Sequence, residues 1–225
     1  MPFARRPPTA QAQVRSGVGE LTDAFARLHT GSLRERQRVE MMRRVQLTAM
    51  DLFEDKGFDK VTIEDVAAAA EVSPSTIYRH FLTKEGLVLH DEHDDDLLAV
   101  VPGLLAEHNL YDAFDIALRA FGDEHFMAGD DLARRRTRLW FQVPSIRAAA
   151  GLMADDVADS LARLVADSPH HALSLPQARV VLGAFVGAVF TAIRVWEEGG
   201  ATEDLRGLLL DTIGLLRDPS ATHRS

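Results

Sequence analysis

The chain has 225 residues, 46% of them hydrophobic, with no cysteine and a formal net charge of −9. That length allows one large or two small domains with a sizeable core, and the lack of thiols excludes disulfides and thiolate chemistry. The start, Met1-Pro2-Phe3-Ala4-Arg5-Arg6, has no apolar run behind its charges, and the longest near-continuous apolar stretch, 180–193, falls short of the roughly 20 residues a bilayer requires, so a cytoplasmic protein is expected.

Taken in chain order, residues 1–31 are rich in Pro, Arg, Gln, Gly and Thr and read as a flexible arm, with Leu21, Phe25 and Leu28 at the spacing of a short accessory helix. Ser32-Leu33-Arg34-Glu35 is a capping box that opens a long helix. Val39, Met42, Val45, Ala49, Leu52 and Phe53 form its buried stripe, and Gly57 ends it. Thr62 with Asp65 starts a second helix whose apolar stripe is Ile63, Val66, Ala67 and Ala70. Glu71-Val72-Ser73 makes a turn, Ser73 caps a third helix, and Pro74 suits its first position.

That third helix, about 74–81, is a candidate recognition helix. At about 100° per residue, Ile77 and Phe81 fall on one face and point inward, while Ser75, Thr76 and Arg79 lie opposite and Tyr78 and His80 flank them. Small polar groups and an Arg can reach base edges; hydroxyl and imidazole groups can hold phosphates. Lys84 adds a cation where the next helix begins. The charge distribution agrees. Residues 1–44 hold nine Arg against four acids, and residues 91–225 hold 12 Lys and Arg against 22 acids, so positive charge is concentrated on the side of the chain nearest the proposed recognition helix.

The pattern Thr62-x-x-x-Val66-Ala67-x-x-Ala70-x-Val72-Ser73-x-x-Thr76-Ile77-Tyr78-x-His80-Phe81-x-x-Lys84-Glu85-x-Leu87 resembles the DNA-binding head of the tetracycline-repressor (TetR) family, and Ala49, Leu52, Phe53, Gly57 and Phe58 fit the helix before it. The likeness covers about 36–90; Ser75 stands where the family often has Gly. It implies a homodimeric helix-turn-helix regulator of transcription, with a double-stranded DNA operator and a small hydrophobic or amphipathic effector as partners. The residues expected on DNA are Arg43, Arg44, Thr62, Ser75, Thr76, Tyr78, Arg79, His80 and Lys84.

Beyond Thr83 every pattern is helical. One helix is expected from Lys84 into Val101 with a break at Pro102-Gly103, and others near 111–127, 131–143, 145–167, 176–197 and 202–217. The fold class is therefore all-α, with about nine or ten helices. Residues 1–31 are the arm, 32–90 the helix-turn-helix domain and 91–225 the ligand-binding and dimerisation domain. Gly183, Ala184, Gly187 and Ala188 on the helix near 176–197 allow close backbone approach, and in the resembled family the last two helices form the dimer interface.

Arg134-Arg135-Arg136-Thr137-Arg138 followed by Leu139-Trp140-Phe141 has two readings. One is a solvated face paired with Asp130 and Asp131; the other is an anion-binding rim beside an aromatic cavity. The run, with Val143-Pro144-x-Ile146-Arg147 and a long apolar helix ending in Trp196, loosely resembles acyl-CoA-sensing members of the same family. Phe121, His125, Arg138, Trp140, Phe141, Arg147 and Phe190 are the expected effector contacts. His90-Asp91-Glu92-His93-Asp94-Asp95-Asp96 reads as a solvated acidic face rather than a metal cluster. No nucleophile elbow or Gly-rich phosphate loop is present, so neither an enzyme nor a cofactor is expected. The rival readings are a constitutive DNA-binding regulator and a helical acyl-group-binding protein or enzyme.

Overall fold

The computed structural model describes residues 18, 21, 33–90, 94–120, 131–169 and 171–218. Among them it contains α-helices and one 3-10 turn, and no strand. Helix α1, Leu33–Lys56, buries Met42, Val45, Ala49, Met50 and Phe53 along one stripe. Gly57, at φ 87°, lets the chain leave this helix, its N–H still bonding Phe53 O at 2.9 Å. The 3-10 turn Phe58–Lys60 follows, then α2, Ile63–Ala69, and α3, Pro74–Phe81. The caps expected at Thr62 and Ser73 form, while Ser32 of the first capping box lies outside the described residues. Thr62 Oγ1 accepts from Asp65 N at 3.1 Å while Asp65 Oδ2 accepts from Thr62 N at 2.9 Å, and Ser73 Oγ accepts from Thr76 N at 3.2 Å.

The remaining helices are α4, Gly86–Leu89; α5, Asp94–Glu107; α6, Leu110–Ala120; α7, Asp131–Gln142; α8, Pro144–Asp167; α9, Leu175–Glu198; and α10, Leu205–Arg217. Helices α8 and α9 pack most extensively, α10 covers α9 and α6, and α7 bridges to α1 and α4. Two apolar clusters hold this part together. One joins Leu105, Ala113, Ala162, Val165, Ala178 and Leu182; the other joins Leu118, Ala192, Trp196, Leu205 and Leu209. The core of the first three helices does not stop at their boundary: Leu132 of α7 and Ile146 of α8 belong to the same cluster as Phe53, Ile77 and Phe81.

Two expectations are corrected. The helix expected from Lys84 to Val101 is divided: α4 ends at Leu89, and His90 is extended at φ −75°, ψ 137°. Pro102-Gly103 does not break the chain, because α5 runs through Pro102 to Glu107. Pro102 is exposed, and its ring removes one main-chain donor from the helix. Within residues 1–31 only Val18 and Leu21 are described; both are helical, as the accessory-helix spacing suggested at Leu21, and Leu21 is buried against Ile116, Ala117 and Ala120, while Phe25 and Leu28 lie outside the described residues.

Helix α4 is too short to satisfy itself. Its last carbonyls are taken by two side chains from different helices. Gln46 Nε2 of α1 donates to Leu87 O at 3.2 Å and His90 O at 2.7 Å. Arg136 of α7 donates from Nε to Val88 O at 2.8 Å and from Nη2 to Leu89 O at 3.4 Å. At the other end Gly86 N bonds Thr83 Oγ1 at 3.0 Å, and a Cβ at Gly86 would lie 1.8 Å from Phe81 O. Because that neighbour is main chain, Gly86→Ala should force α3 and α4 apart and lower unfolding stability by more than about 2 kcal/mol. Urea denaturation followed by circular dichroism checks this; a loss below about 0.5 kcal/mol would show that the junction yields freely.

Candidate nucleic-acid interface

Helix α3 is held by Ile77 and Phe81, which are 1% and 0% exposed. Full burial of such side chains is worth about 1.5–3 kcal/mol each, enough to fix which face of an eight-residue helix looks outward. Ser75, Tyr78 and Arg79 are exposed on that outer face, and Thr76 and His80 are half-buried at its edges. Ser73 Oγ lies 2.8 Å from both Ser75 Oγ and Thr76 Oγ1, so three hydroxyls gather at the helix N-terminus. That end carries the partial positive charge of the helix and points small polar groups outward, as groove reading requires.

The turns on either side of α3 are tight and contain no glycine. Glu71 lies in the left-handed region at φ 56°, with Val72 N bonded to Ala67 O at 3.0 Å, which closes α2. Leu82, at φ 63°, closes α3 through its N–H to Tyr78 O at 3.0 Å. Left-handed backbone in non-glycine residues is held in place by its surroundings, so these turns fix the orientation of α3 against α2.

The expected DNA-contacting residues do not all occupy equivalent places. Ser75, Thr76, Tyr78, Arg79 and His80 share α3. Arg43 and Arg44 lie on α1, half-buried and exposed respectively. His80 is pushed below the ordinary histidine value by burial, then by Arg79 and Arg38, so it is neutral at physiological pH and offers one N–H rather than a charge. Thr62 is exposed, but its hydroxyl already exchanges bonds with Asp65, whose carboxyl is held below its usual range by the Thr62 backbone N–H first and the hydroxyl second. Lys84 differs from expectation. Its Nζ donates to Phe58 O at 2.9 Å and Val61 O at 3.1 Å and sits 4.3 Å from the centre of the Phe58 ring. The ammonium binds the 3-10 turn to the start of the next helix, a structural tie that its sequence position did not reveal.

The expected effector residues divide similarly. Trp140 stacks on Phe141 at 5.1 Å and 7°, and meets Phe190 edge-on at 5.1 Å and 82°. Arg138 lines a cleft of about 420 Å³ with Asp131, Arg134, Arg135, Glu197, Gly200 and Ala201. Arg147 is exposed on α8 and is not part of that lining. Phe121 and His125 lie outside the described residues, as do Asp91, Glu92 and His93 of the acidic run. Among the described residues no three His, Cys, Asp or Glu gather as a metal site would require. Neither reading of the Arg run describes it fully. Arg136 is buried on α4, and Arg135 donates from Nε and Nη2 to Glu54 at 2.9 and 2.8 Å and from Nη2 to Asp51 at 2.6 Å. Sequence reasoning missed Gln46, Arg135 and Arg136 as connectors; the one available signal was a glutamine beside Val45 on the otherwise apolar stripe of α1.

This geometry separates two lysine and arginine roles. Lys84→Met should cost about 1–3 kcal/mol of stability through lost bonds to buried carbonyls, and leave the salt dependence of DNA binding unchanged, where a phosphate contact would reduce the slope by about one. Arg79→Ala should leave stability intact and cost about 1–3 kcal/mol on the specific sequence with little loss on random duplex. Melting curves paired with salt-titrated binding assays check both.

Comparison with known proteins agrees with the geometry. Residues 47–90 match the family described as bacterial regulatory proteins, tetR family, and residues 108–221 match the MftR C-terminal domain. Over 171 residues the chain is 25% identical to MftR of Mycobacterium tuberculosis (strain ATCC 25618 / H37Rv), named for regulation of mycofactocin biosynthesis; the match covers 74% of this chain and 85% of the relative. Over 74 residues it is 36% identical to the HTH-type transcriptional regulator TcmR of Streptomyces glaucescens, covering 32% of this chain and 33% of that one. The fold is shared with the fatty acid degradation regulator FadR of Bacillus halodurans, at 18% identity and a TM-score of 0.54, over 82% of this chain and 97% of that one. With its helix-turn-helix head and a C-terminal domain match that alone spans half the sequence, the chain is a transcriptional regulator, not an enzyme, and belongs to the TetR family.

Proposed function

We propose that the protein is a ligand-responsive repressor that binds a pseudo-palindromic operator as a homodimer in the cytoplasm and is released by a small amphipathic molecule. Residues 32–90 form the DNA-binding domain and 91–225 the sensing and dimerisation domain, with 1–31 as an N-terminal arm. Ser75, Thr76, Tyr78 and Arg79 read or border bases; Thr62, Tyr78 and His80 meet phosphates, with Arg43 and Arg44 supplying positive charge.

The observation that carries the dimer is the outer face of α9. This 24-residue helix is long and apolar enough, by length and composition, to cross a membrane, beyond what its central apolar stretch suggested, yet only 28% of its apolar window is buried within the chain. Val180 is 74% exposed and Val195 50%, with the glycines at 183 and 187 open between them. Leu215 and Leu216 continue the apolar surface on α10. A second copy related by a twofold axis would cover this face, and a short recognition helix that contacts few bases needs a second copy to specify a site. An amphipathic effector is supported by the grouping of Trp140, Phe141 and Phe190 and by Arg138, which shares α7 with the first two although no aromatic residue lines its cleft.

Two experiments test this reading. A nuclease footprint should cover two inverted half-sites roughly one helical turn apart, about 34–36 Å, and the double variant Val180→Glu, Val195→Glu should sediment as a monomer and lose the footprint. A stable wild-type monomer on one asymmetric site would defeat the dimer. For the ligand, long-chain acyl-CoAs and neutral hydrophobic compounds are titrated against the operator complex. Release by an acyl-CoA supports the anionic class, release by neutral compounds alone removes it, and no release by any favours a constitutive regulator.

A further inference from the structure

We propose that the cleft between α7 and the α9–α10 turn takes an anionic group, phosphate or carboxylate, and that Arg135 carries its occupancy to the DNA-binding head. The inference rests on the ligand-responsive reading above. Positions 131, 134, 135 and 138 recur at the spacing of one helical face, so α7 turns Asp131 and three guanidiniums toward the cleft. The opposite wall is a rigid turn. Gly200 and Ala201 are both left-handed, at φ 84° and 55°, Ala201 N bonds Trp196 O at 2.9 Å, and the Trp196 indole bonds Glu203 O at 2.8 Å. The volume of about 420 Å³ suits a small organic anion or the end of a longer molecule.

The cleft has unmet donors. Arg134 lines the cleft, and its buried Nε has no hydrogen-bond partner among the described residues, a state that costs free energy. Arg138 is exposed. Arg135 gives Nε and Nη2 to Glu54 and Asp51 of α1, while Nη1 bonds neither. These two carboxylates therefore compete with any anion in the cleft for one guanidinium. Both acids are exposed, 44% for Glu54 and 71% for Asp51, so solvent screens them, but the grip on Glu54 is bidentate and an anion in the cleft has to outcompete it. Asp131 and Glu197, also in the lining, oppose a bare polyanion and accept hydrogen bonds from hydroxyl or amide groups beside the anion. The next residue, Arg136, clasps α4, so a shift of α7 as Arg135 turns into the cleft reaches the end of α4 and, through Gly86, α3.

The test is calorimetric titration of the full-length protein with inorganic pyrophosphate and with n-octyl phosphate, the melting curve of each variant checking its fold. Saturable binding is expected, at least fivefold weaker in Arg138→Gln. It should be at least threefold tighter in Asp51→Asn, Glu54→Gln, because the competitors of the anion are gone. A salt bridge that merely stabilises the fold would shift the melting curve and leave anion affinity alone. Pyrophosphate binding alone supports a free anion, and octyl phosphate binding alone supports the head of an apolar molecule. No saturable binding of either up to about 10 mM, or no tightening in the double acid variant, overturns the proposal. If Arg134→Gln, Arg138→Gln still releases operator DNA as the wild type does, the cleft inference fails while ligand gating stands. If no compound releases the wild type, ligand gating fails while cleft binding is still read by calorimetry.

Discussion

The joint between the DNA-binding head and the rest of the molecule depends first on how four backbone carbonyls are satisfied. A one-turn helix, Gly86–Leu89, cannot bond the carbonyls at its own end, and its apolar residues are too deeply buried for water to do so. Gln46 and Arg136 reach in from opposite sides, one from the head and one from the C-terminal domain. A charged side chain buried to 8% exposure is tolerated because its donors are spent on carbonyls. The cost of losing either partner is an unsatisfied buried group, so the joint resists separation.

The continuity of the apolar core gives that joint its meaning. Leu132 and Ile146 of the C-terminal helices pack in the same cluster as Ile77 and Phe81 of the recognition helix. A helix whose inner face shares a core with α7 cannot reorient alone; its position against DNA is a property of the whole assembly. The family relationship explains why such a chain carries an excess of acids and still binds DNA. Phosphates respond to charge within about a Debye length, and acids outnumber bases after residue 90 while nine arginines against four acids fall within residues 1–44, the arm and the first helix of the head.

The arginine run shows how far one sequence feature can be divided by its surroundings. Arg135 bridges to two acids of α1, Arg136 is buried on main-chain oxygens, and Arg134 and Arg138 face a cleft. Arg136 points away from the face that Arg134, Arg135 and Arg138 share, so a single role for the run was never available. Lys84 makes the same point. A lysine after a cap looks like a phosphate contact, yet here the flexible stem lets the ammonium turn back over Phe58 to two carbonyls.

The sequence by itself determined the helical class, the helix-turn-helix motif and the outward face of α3. Those features depend on neighbours three or four residues apart: Thr62 with Asp65, Ser73 with Thr76, Ile77 with Phe81. Tertiary structure alone decided where α4 stops, that Pro102 is carried inside a helix, and which way Lys84, Gln46 and Arg136 turn. Their partners lie 23 to 48 residues away, and for a long polar side chain the choice between solvent and a distant carbonyl exists only once packing has put that carbonyl within reach.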